Sequence, residues 1–346
     1  MWHNKKVMLD DLQYITGLDK SNALGVVGGQ PDQLRQEFNL EFKVKDINNM
    51  VLVGMGGSAL PGEILRSWLS DKLLVPFVIV RDYNLPKFVG PKSLVIISSY
   101  SGNTEETLAS LAEAINRQAQ IVTLSSGGEL AKIAAAKTLP HIKIPEGIQP
   151  RMAVFYTLKA LVVLLQEEVG SGIIKELGEA TDWLEQQLSQ WMPDTKTDEN
   201  EAKKIATTLI DNPVVVYAGP TLASAALKWK INLNENAKQL AFYYLWPEFS
   251  HNEFNSWLHP RTKKFKVIEL QSDLDDPQIA KRFDISNRLL SNNMPAPLIV
   301  TAKGDTKLKQ LLYTLLLGDY VSLYLAFLNG IDPTPVGLVE RLKKEL

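Results

Sequence analysis

From Met50 onward, short runs rich in apolar and β-branched residues alternate with amphipathic stretches of helical period, and no other feature constrains the chain as tightly. Strands that are each followed by a helix cannot pair through tight hairpins, so they lie parallel and carry their helices over both faces of the sheet. The expected strands are 50–54, 76–80, 94–99, 121–125 and 141–144, with helices over 59–69, 104–116 and 129–135. A helical stretch over 151–190 follows, strongly apolar at first, and Trp191-Met192-Pro193-Asp194 breaks it before a helix over 198–209. A second alternation then begins, with strands over 213–218, 241–245, 265–270 and 296–302 and helices over 222–235 and 277–290. Two helices over 308–329 and 336–344 close the chain, separated by Pro333 and Pro335.

At 346 residues the chain exceeds the size at which one hydrophobic core stops growing. The expected fold class is therefore α/β with two domains, each a mainly parallel sheet flanked by helices. Residues 1–150 form the first, 151–195 a helical connection and 196–346 the second, which repeats the first in kind without a residue-level repeat. The run from Leu311 to Ile331 imitates a membrane span, but it carries Asp319 near its middle and is interrupted by Gly318 and Asn329. A charge at the centre of a spanning helix costs roughly 2.5–3.5 kcal/mol, so the run reads as a buried helix and no membrane partner is expected.

The charges nearly balance, 37 Lys+Arg against 39 Asp+Glu, so no global field draws the protein to nucleic acid or an anionic surface. An anionic ligand must be held by local devices. The absence of cysteine removes disulfides, thiolate nucleophiles and sulfur-ligated metals. His3, His141, His251 and His259 are too scattered for a metal cluster, and His259, before Pro260, reads as structural. Met1–Lys6 leads into polar residues rather than an apolar signal core, which makes the cytoplasm the expected location.

Two turns carry chemistry. Gly54-Met55-Gly56-Gly57-Ser58 sits between an apolar strand and a helix, where glycines let the backbone turn sharply and helix N–H groups face an anion. Gly54, Gly56 and Ala59, with Asp82 further on, also fit a dinucleotide fingerprint, and a tight turn without a ligand fits as well. Ser99-Tyr100-Ser101-Gly102-Asn103-Thr104 occupies the same kind of position and supplies three hydroxyls around a glycine, a set suited to a phosphate monoester. Thr104 is expected to cap the helix that follows, with Glu105 and Glu106 in its first turn.

The pairing of these turns resembles the sugar isomerase (SIS) domain, and Pro150-Arg151 followed by Tyr156 matches the Pro-Arg-x-x-x-x-Tyr pattern of the bifunctional phosphoglucose/phosphomannose isomerases. The resemblance spans nearly the whole chain. It implies two SIS-type domains and a sugar phosphate held by Gly56, Gly57, Ser58, Ser99, Ser101 and Thr104. It further implies chemistry by Arg151, Glu235, His251 and a C-terminal lysine, for which Lys343 is favoured over Lys344. The implied reaction interconverts glucose 6-phosphate, and mannose 6-phosphate, with fructose 6-phosphate through a cis-enediol, with no metal or nicotinamide cofactor. A homodimer sharing His251 across its interface is implied as well.

By themselves these residues read less sharply. Glu235 could be a solvated helix-end carboxylate, His251 a capping or packed histidine, and Arg151 the partner of a surface carboxylate. Trp246-Pro247-Glu248-Phe249 and Phe254 read as a subunit interface that buries Trp246 and Phe249. The alternatives are a regulator that uses SIS domains to sense a sugar phosphate, an isomerase of another sugar phosphate such as arabinose 5-phosphate, and an NAD-dependent dehydrogenase. A sensor would need the hydroxyl turn but no acid/base set.

Overall fold

The computed structural model describes residues 8–258 and 264–345, without the side chain of Lys344; the readings of Met1–Lys6, His3 and His259 fall outside it. The chain divides into two compact units, one of residues 29–182 and the other of residues 183 onward together with the segment up to Gly28.

In the first unit five parallel strands stand in the order β2-β1-β3-β4-β5. They are β1 (Asn49–Val53), β2 (Phe77–Val80), β3 (Ser93–Ser98), β4 (Gln120–Ser125) and β5 (His141–Lys143). Central β1 and β3 are continuous apolar runs because helices cover both faces, and Val51 stands opposite both Val78 and Val95. Helices α1 (Leu60–Trp68), α2 (Glu105–Asn116) and α3 (Gly128–Ala136) follow β1, β3 and β4. Leu111 and Ala114 of α2 and Leu130 of α3 pack on Val95, Ile97 and Ile121.

Helix α4 (Val154–Val169) packs against α1 and against the short helix Gln30–Arg35, and Gln33 Nε2 donates to the Met152 carbonyl at 2.9 Å. The sequence assigns this helix to a connection over 151–195. Its apolar face, including Phe155, Leu158, Leu161 and Leu165, is instead buried in the first unit, and the division falls at Asp182, within the helix Gly172–Gln187.

The second unit holds four parallel strands in the order β7-β6-β8-β9: β6 (Val214–Ala218), β7 (Ala241–Leu245), β8 (Lys266–Gln271) and β9 (Leu298–Thr301). Its helices include α5 (Glu201–Leu209), α6 (Ala223–Glu235), α7 (Pro277–Leu289), α8 (Lys307–Leu328) and α9 (Gly337–Glu345). Buried Lys203 of α5 donates to the carbonyls of Leu9, Pro193 and Thr195 at 2.7–2.8 Å. That clamp ties the N-terminal segment to this unit, an attachment with no periodic signal in the sequence.

Helix α8 is long and apolar enough to cross a membrane, yet its apolar window is wholly buried, as the reading of a core helix requires. Asp319 makes an ion pair with Lys228 of α6, both buried, and accepts a 2.7 Å hydrogen bond from Asn232 Nδ2. Asn236 Nδ2 donates to Ser322 Oγ at 2.8 Å, and Trp229 Nε1 to the Thr314 carbonyl at 2.8 Å. Gly318 is small because a methyl group there would overlap the Trp229 indole. Asp319→Ala should cost about 3–5 kcal/mol, because it strands the buried Lys228 charge. Replacing both with apolar residues should recover most of that loss in chemical denaturation. Equal destabilisation by the single and double variants would assign the cost to packing instead.

Candidate functional site

The strand order of the first unit reverses between β1 and β3, so the crevice outside their carboxyl ends is the topological switch point where α/β sheets bind ligands. Both chemistry-bearing turns lie there. Gly56 has φ +48° and begins a 3-10 turn, Gly56–Ser58, that leads into α1. Gly57 lies flat against the Pro150-Arg151 backbone, where an added Cβ would stand 2.8 Å from the Arg151 nitrogen. Buried Ser58 accepts the Tyr100 N–H on its Oγ at 3.0 Å, while its carbonyl accepts from Ser98 Oγ at 3.0 Å. This serine joins the two turns and keeps its own O–H as a donor.

The hydroxyl turn is held by backbone contact. Gly102 and Gly128 have φ +71° and +72°, and methyl groups there would overlap the carbonyl oxygens of Gly127 and Ser101. Ser126 N–H donates to the Tyr100 carbonyl at 2.8 Å, Leu130 N–H to Gly102 at 2.9 Å, and Glu129 N–H to Asn103 Oδ1 at 2.9 Å. Ser125-Ser126-Gly127-Gly128, after β4, is therefore a third wall of the site, one that sequence reasoning missed. Its signal is a third strand, Ser/Gly turn and helix in succession.

Ser99 and Thr104 close the turn on itself through a 2.9 Å hydroxyl–hydroxyl bond. Thr104 holds the N-cap position of α2 with extended backbone, but it makes no side-chain cap bond because its Oγ1 is engaged by Ser99. The expected cap is thus corrected, and the first N–H groups of a 12-residue helix face the crevice without one. Ser101 is exposed at the mouth.

Tyr100 links this turn to the arginine segment: its O–H donates to the Pro145 carbonyl at 2.9 Å and accepts from Ile148 N–H at 3.3 Å. Burial raises the phenol above its usual range, so it stays protonated. Arg151, buried, donates from Nη1 to Gln149 Oε1 at 3.3 Å. Half-buried His141 meets Thr123 Oγ1 at 2.8 Å beneath the 125–128 wall, and burial with the nearby Lys143 charge lowers its pKa. The first unit thus gathers Gly56, Gly57, Ser58, Ser99, Ser101 and Thr104 at one crevice, with the Arg151 backbone against Gly57.

The second unit places the remaining candidates apart. Helix α6 starts at the carboxyl edge of its sheet and runs about 20 Å back to the amino edge, where Glu235 is its last residue. Asn234 Oδ1 accepts the Ala241 N–H at 2.9 Å at the start of β7, confirming that edge. Lys238 Nζ donates to the Glu235 carbonyl at 2.9 Å and to the Pro333 carbonyl at 3.2 Å, so the approach to α9 and its exposed Lys343 lies on the same side. His251 ends the 3-10 turn Glu248–His251 beyond the carboxyl end of β7 and is exposed. Glu235 and His251 therefore occupy opposite edges of one sheet.

Trp246 and Phe249, expected at a subunit interface, are buried within this unit against Tyr217 and Phe283. The aromatics of the strip belong to a core, and the exposed aromatic nearby is Phe242 of β7. Glu253 accepts from Tyr217 O–H at 2.5 Å, and Trp257 Nε1 donates to the same phenol at 3.2 Å. Among the described residues no group of three or more His, Asp or Glu side chains could hold a metal ion.

Residues 198–346 match the family described as bacterial phospho-glucose isomerase C-terminal SIS domain. The chain is 33% identical over 329 residues to a bifunctional phosphoglucose/phosphomannose isomerase from Caldicellulosiruptor bescii, covering 91% of this chain and 96% of the relative. It is 34% identical to a protein of the same description from Aquifex aeolicus, over 90% of this chain and 95% of that one. Among solved structures, a glucose-6-phosphate isomerase like protein from Thermus thermophilus aligns with a TM-score of 0.65 at 19% identity, over 98% of this chain and 99% of the other, a likeness of fold.

Gly102→Ala should part the two glycine-tight turns and weaken binding of inorganic phosphate by about 10–100-fold, the loss of one charge-assisted hydrogen bond. Titration by phosphorus NMR checks this, and unchanged affinity would remove the turn from the phosphate site.

Proposed function

Because the chain belongs to the bifunctional phosphoglucose/phosphomannose isomerase family, we propose that it interconverts glucose 6-phosphate and mannose 6-phosphate with fructose 6-phosphate. The observation that carries this reading is the crevice at the carboxyl ends of β1 and β3, where the hydroxyl turn Ser99–Thr104 leads into a helix N-terminus without a side-chain cap. Such a space suits a phosphate monoester. Its third wall, Ser125–Gly128, holds the hydroxyl turn in place from behind.

Aldose–ketose isomerisation moves a proton between C1 and C2 through an enediol. It needs a base that removes and returns a carbon-bound proton and a fixed positive charge beside the developing enediolate. We assign the base to Glu235 and the charge to Arg151, whose guanidinium stays cationic at all working pH. His251 and Lys343 open the sugar ring by moving protons at the ring oxygen and the C1 hydroxyl.

Since Glu235 and His251 stand at opposite edges of one sheet, His251 is assigned to the site of a second copy of the chain. The buried Trp246 and Phe249 take no part in that interface.

In a coupled assay with EDTA present, glucose 6-phosphate and mannose 6-phosphate should both yield fructose 6-phosphate. Glu235→Gln should lower turnover by about 10²–10⁴-fold, the contribution of a general base, while leaving affinity for a sugar-phosphate inhibitor intact. Near wild-type turnover would move the base elsewhere, with Glu253 the next candidate. Mixing inactive His251→Ala and Arg151→Ala proteins under subunit exchange should restore activity at one of the two sites in each heterodimer. No recovery with heterodimers demonstrated would return His251 to its own subunit's site.

A further inference from the structure

The second unit repeats the topology of the first. Its order β7-β6-β8-β9 reverses between β6 and β8, so it too has a crevice at the carboxyl ends of its first and third strands. The turn after β6, Gly219-Pro220-Thr221-Leu222, is a 3-10 turn leading into α6, the counterpart of Gly56–Ser58 leading into α1. The turn after β8, Ser272-Asp273-Leu274-Asp275-Asp276, leads into α7 as Ser99–Thr104 leads into α2. The chemistry of the two turns is inverted. Where the first crevice has hydroxyls, the second has three carboxylates.

Those carboxylates are committed within the unit. Asp276 caps α7 through the Gln278 N–H at 2.8 Å, and Asp273 accepts from Gln310 Nε2 at 2.5 Å. Asp275 turns into the crevice. Its Oδ1 accepts the Thr221 N–H at 2.9 Å, and its Oδ2 is buried so closely on Gly219 that a methyl group there would overlap it. Burial raises the pKa of this carboxyl, offset in part by Thr221 and the Lys307 charge, and Oδ2 accepts no hydrogen bond from the described residues. A glycine turn and a backbone N–H, with the Lys307 charge acting on them, make the kind of turn that holds an anion, and the group seated there is the chain's own carboxyl.

We propose that Asp275 keeps the second crevice shut by seating its carboxylate where a phosphate would bind, so that each chain has a single sugar-phosphate site, the one between β1 and β3. The contact is an internal occlusion that decides which of two similar halves receives substrate. It goes beyond the isomerase assignment and survives or fails independently of it.

Phosphorus NMR or calorimetric titration of the full-length protein with inorganic phosphate tests this. Wild type should bind one phosphate per chain, and Ser101→Ala/Thr104→Ala should abolish it. Asp275→Ser should bind two, the second at least ~10-fold tighter than any second binding to wild type, as expected for charge-assisted bonds exposed by removing the carboxylate. Asp275→Gly, which removes the same carboxylate without adding a group to the turn, should open the site by a second route if the serine variant is unstable. One phosphate per chain in folded Asp275→Ser and Asp275→Gly proteins, or two in wild type with the second insensitive to the Ser101/Thr104 change, overturns the proposal. Phosphate binding untouched by the Ser101/Thr104 change and limited to one per chain would instead overturn the assignment of the first crevice.

Discussion

A parallel strand pair whose crossovers leave in opposite directions opens a crevice at its carboxyl end, and turn N–H groups facing it find no partner inside the sheet. Both halves of this chain are built around such a crevice, and most of the unusual residues in the protein answer to it. In the first half the answer is to hold the turns still and leave the donors open. Gly57 against the Pro150-Arg151 backbone, and Gly102 and Gly128 against each other's turns, allow main chains to approach where any side chain would force them apart. Ser99 diverts Thr104 from its capping role, which leaves the α2 N-terminus for a ligand. In the second half the donors are met from within.

The helices of the second half are fixed by polar contacts rather than by apolar shape alone. Helix α8 is apolar all round and could rotate or slide in a purely greasy socket at little cost. The Lys228–Asp319 pair, with Asn232 and the Asn236–Ser322 bond one turn further along, allows a single register between α6 and α8. That register also sets the end of α6. Both asparagines of Asn234-Glu235-Asn236 serve it, one through the Ala241 N–H and the other through Ser322, so the glutamate between them is held on a braced helix end.

Much of this was legible in the sequence because parallel α/β architecture writes itself in local signals. Buried strands such as Met50–Val53 are unbroken apolar runs, and the turns that end them carry glycines with positive φ. The core helix 307–328 could be told from a membrane span by Asp319, with Gly318 and Asn329 interrupting the apolar run. What stayed hidden depends on contacts far apart in the chain. The clamp of Lys203 on Leu9 draws the N-terminus into the second unit, the 125–128 turn matters only because it backs Gly102, and Asp275 gains meaning only from Gly219 more than fifty residues earlier. The aromatic strip misled for a related reason: clustered aromatics look alike whether they face a partner or their own core, and Phe283, which packs on Trp246, comes from a later helix.

The two edges of the second sheet bear directly on how an isomerase of this kind is assembled. Ring opening acts on the ring oxygen and the C1 hydroxyl, whereas the base works at C1 and C2, so both groups must reach one small sugar at once. A sheet of four- to six-residue strands with a 13-residue helix laid across it separates its edges by more than the length of a sugar phosphate, and neither side chain can bridge that span. On the proposed roles, Glu235 at the amino edge and His251 at the carboxyl edge would serve different substrate molecules. If each site needs both, a second chain has to supply one of them, and the exposed position of His251 past β7 makes it the residue that can be lent. Glu235, braced by its flanking asparagines, stays with the chain that bears it. On the proposed roles, sharing His251 between two chains follows from the direction in which a parallel sheet sends its loops.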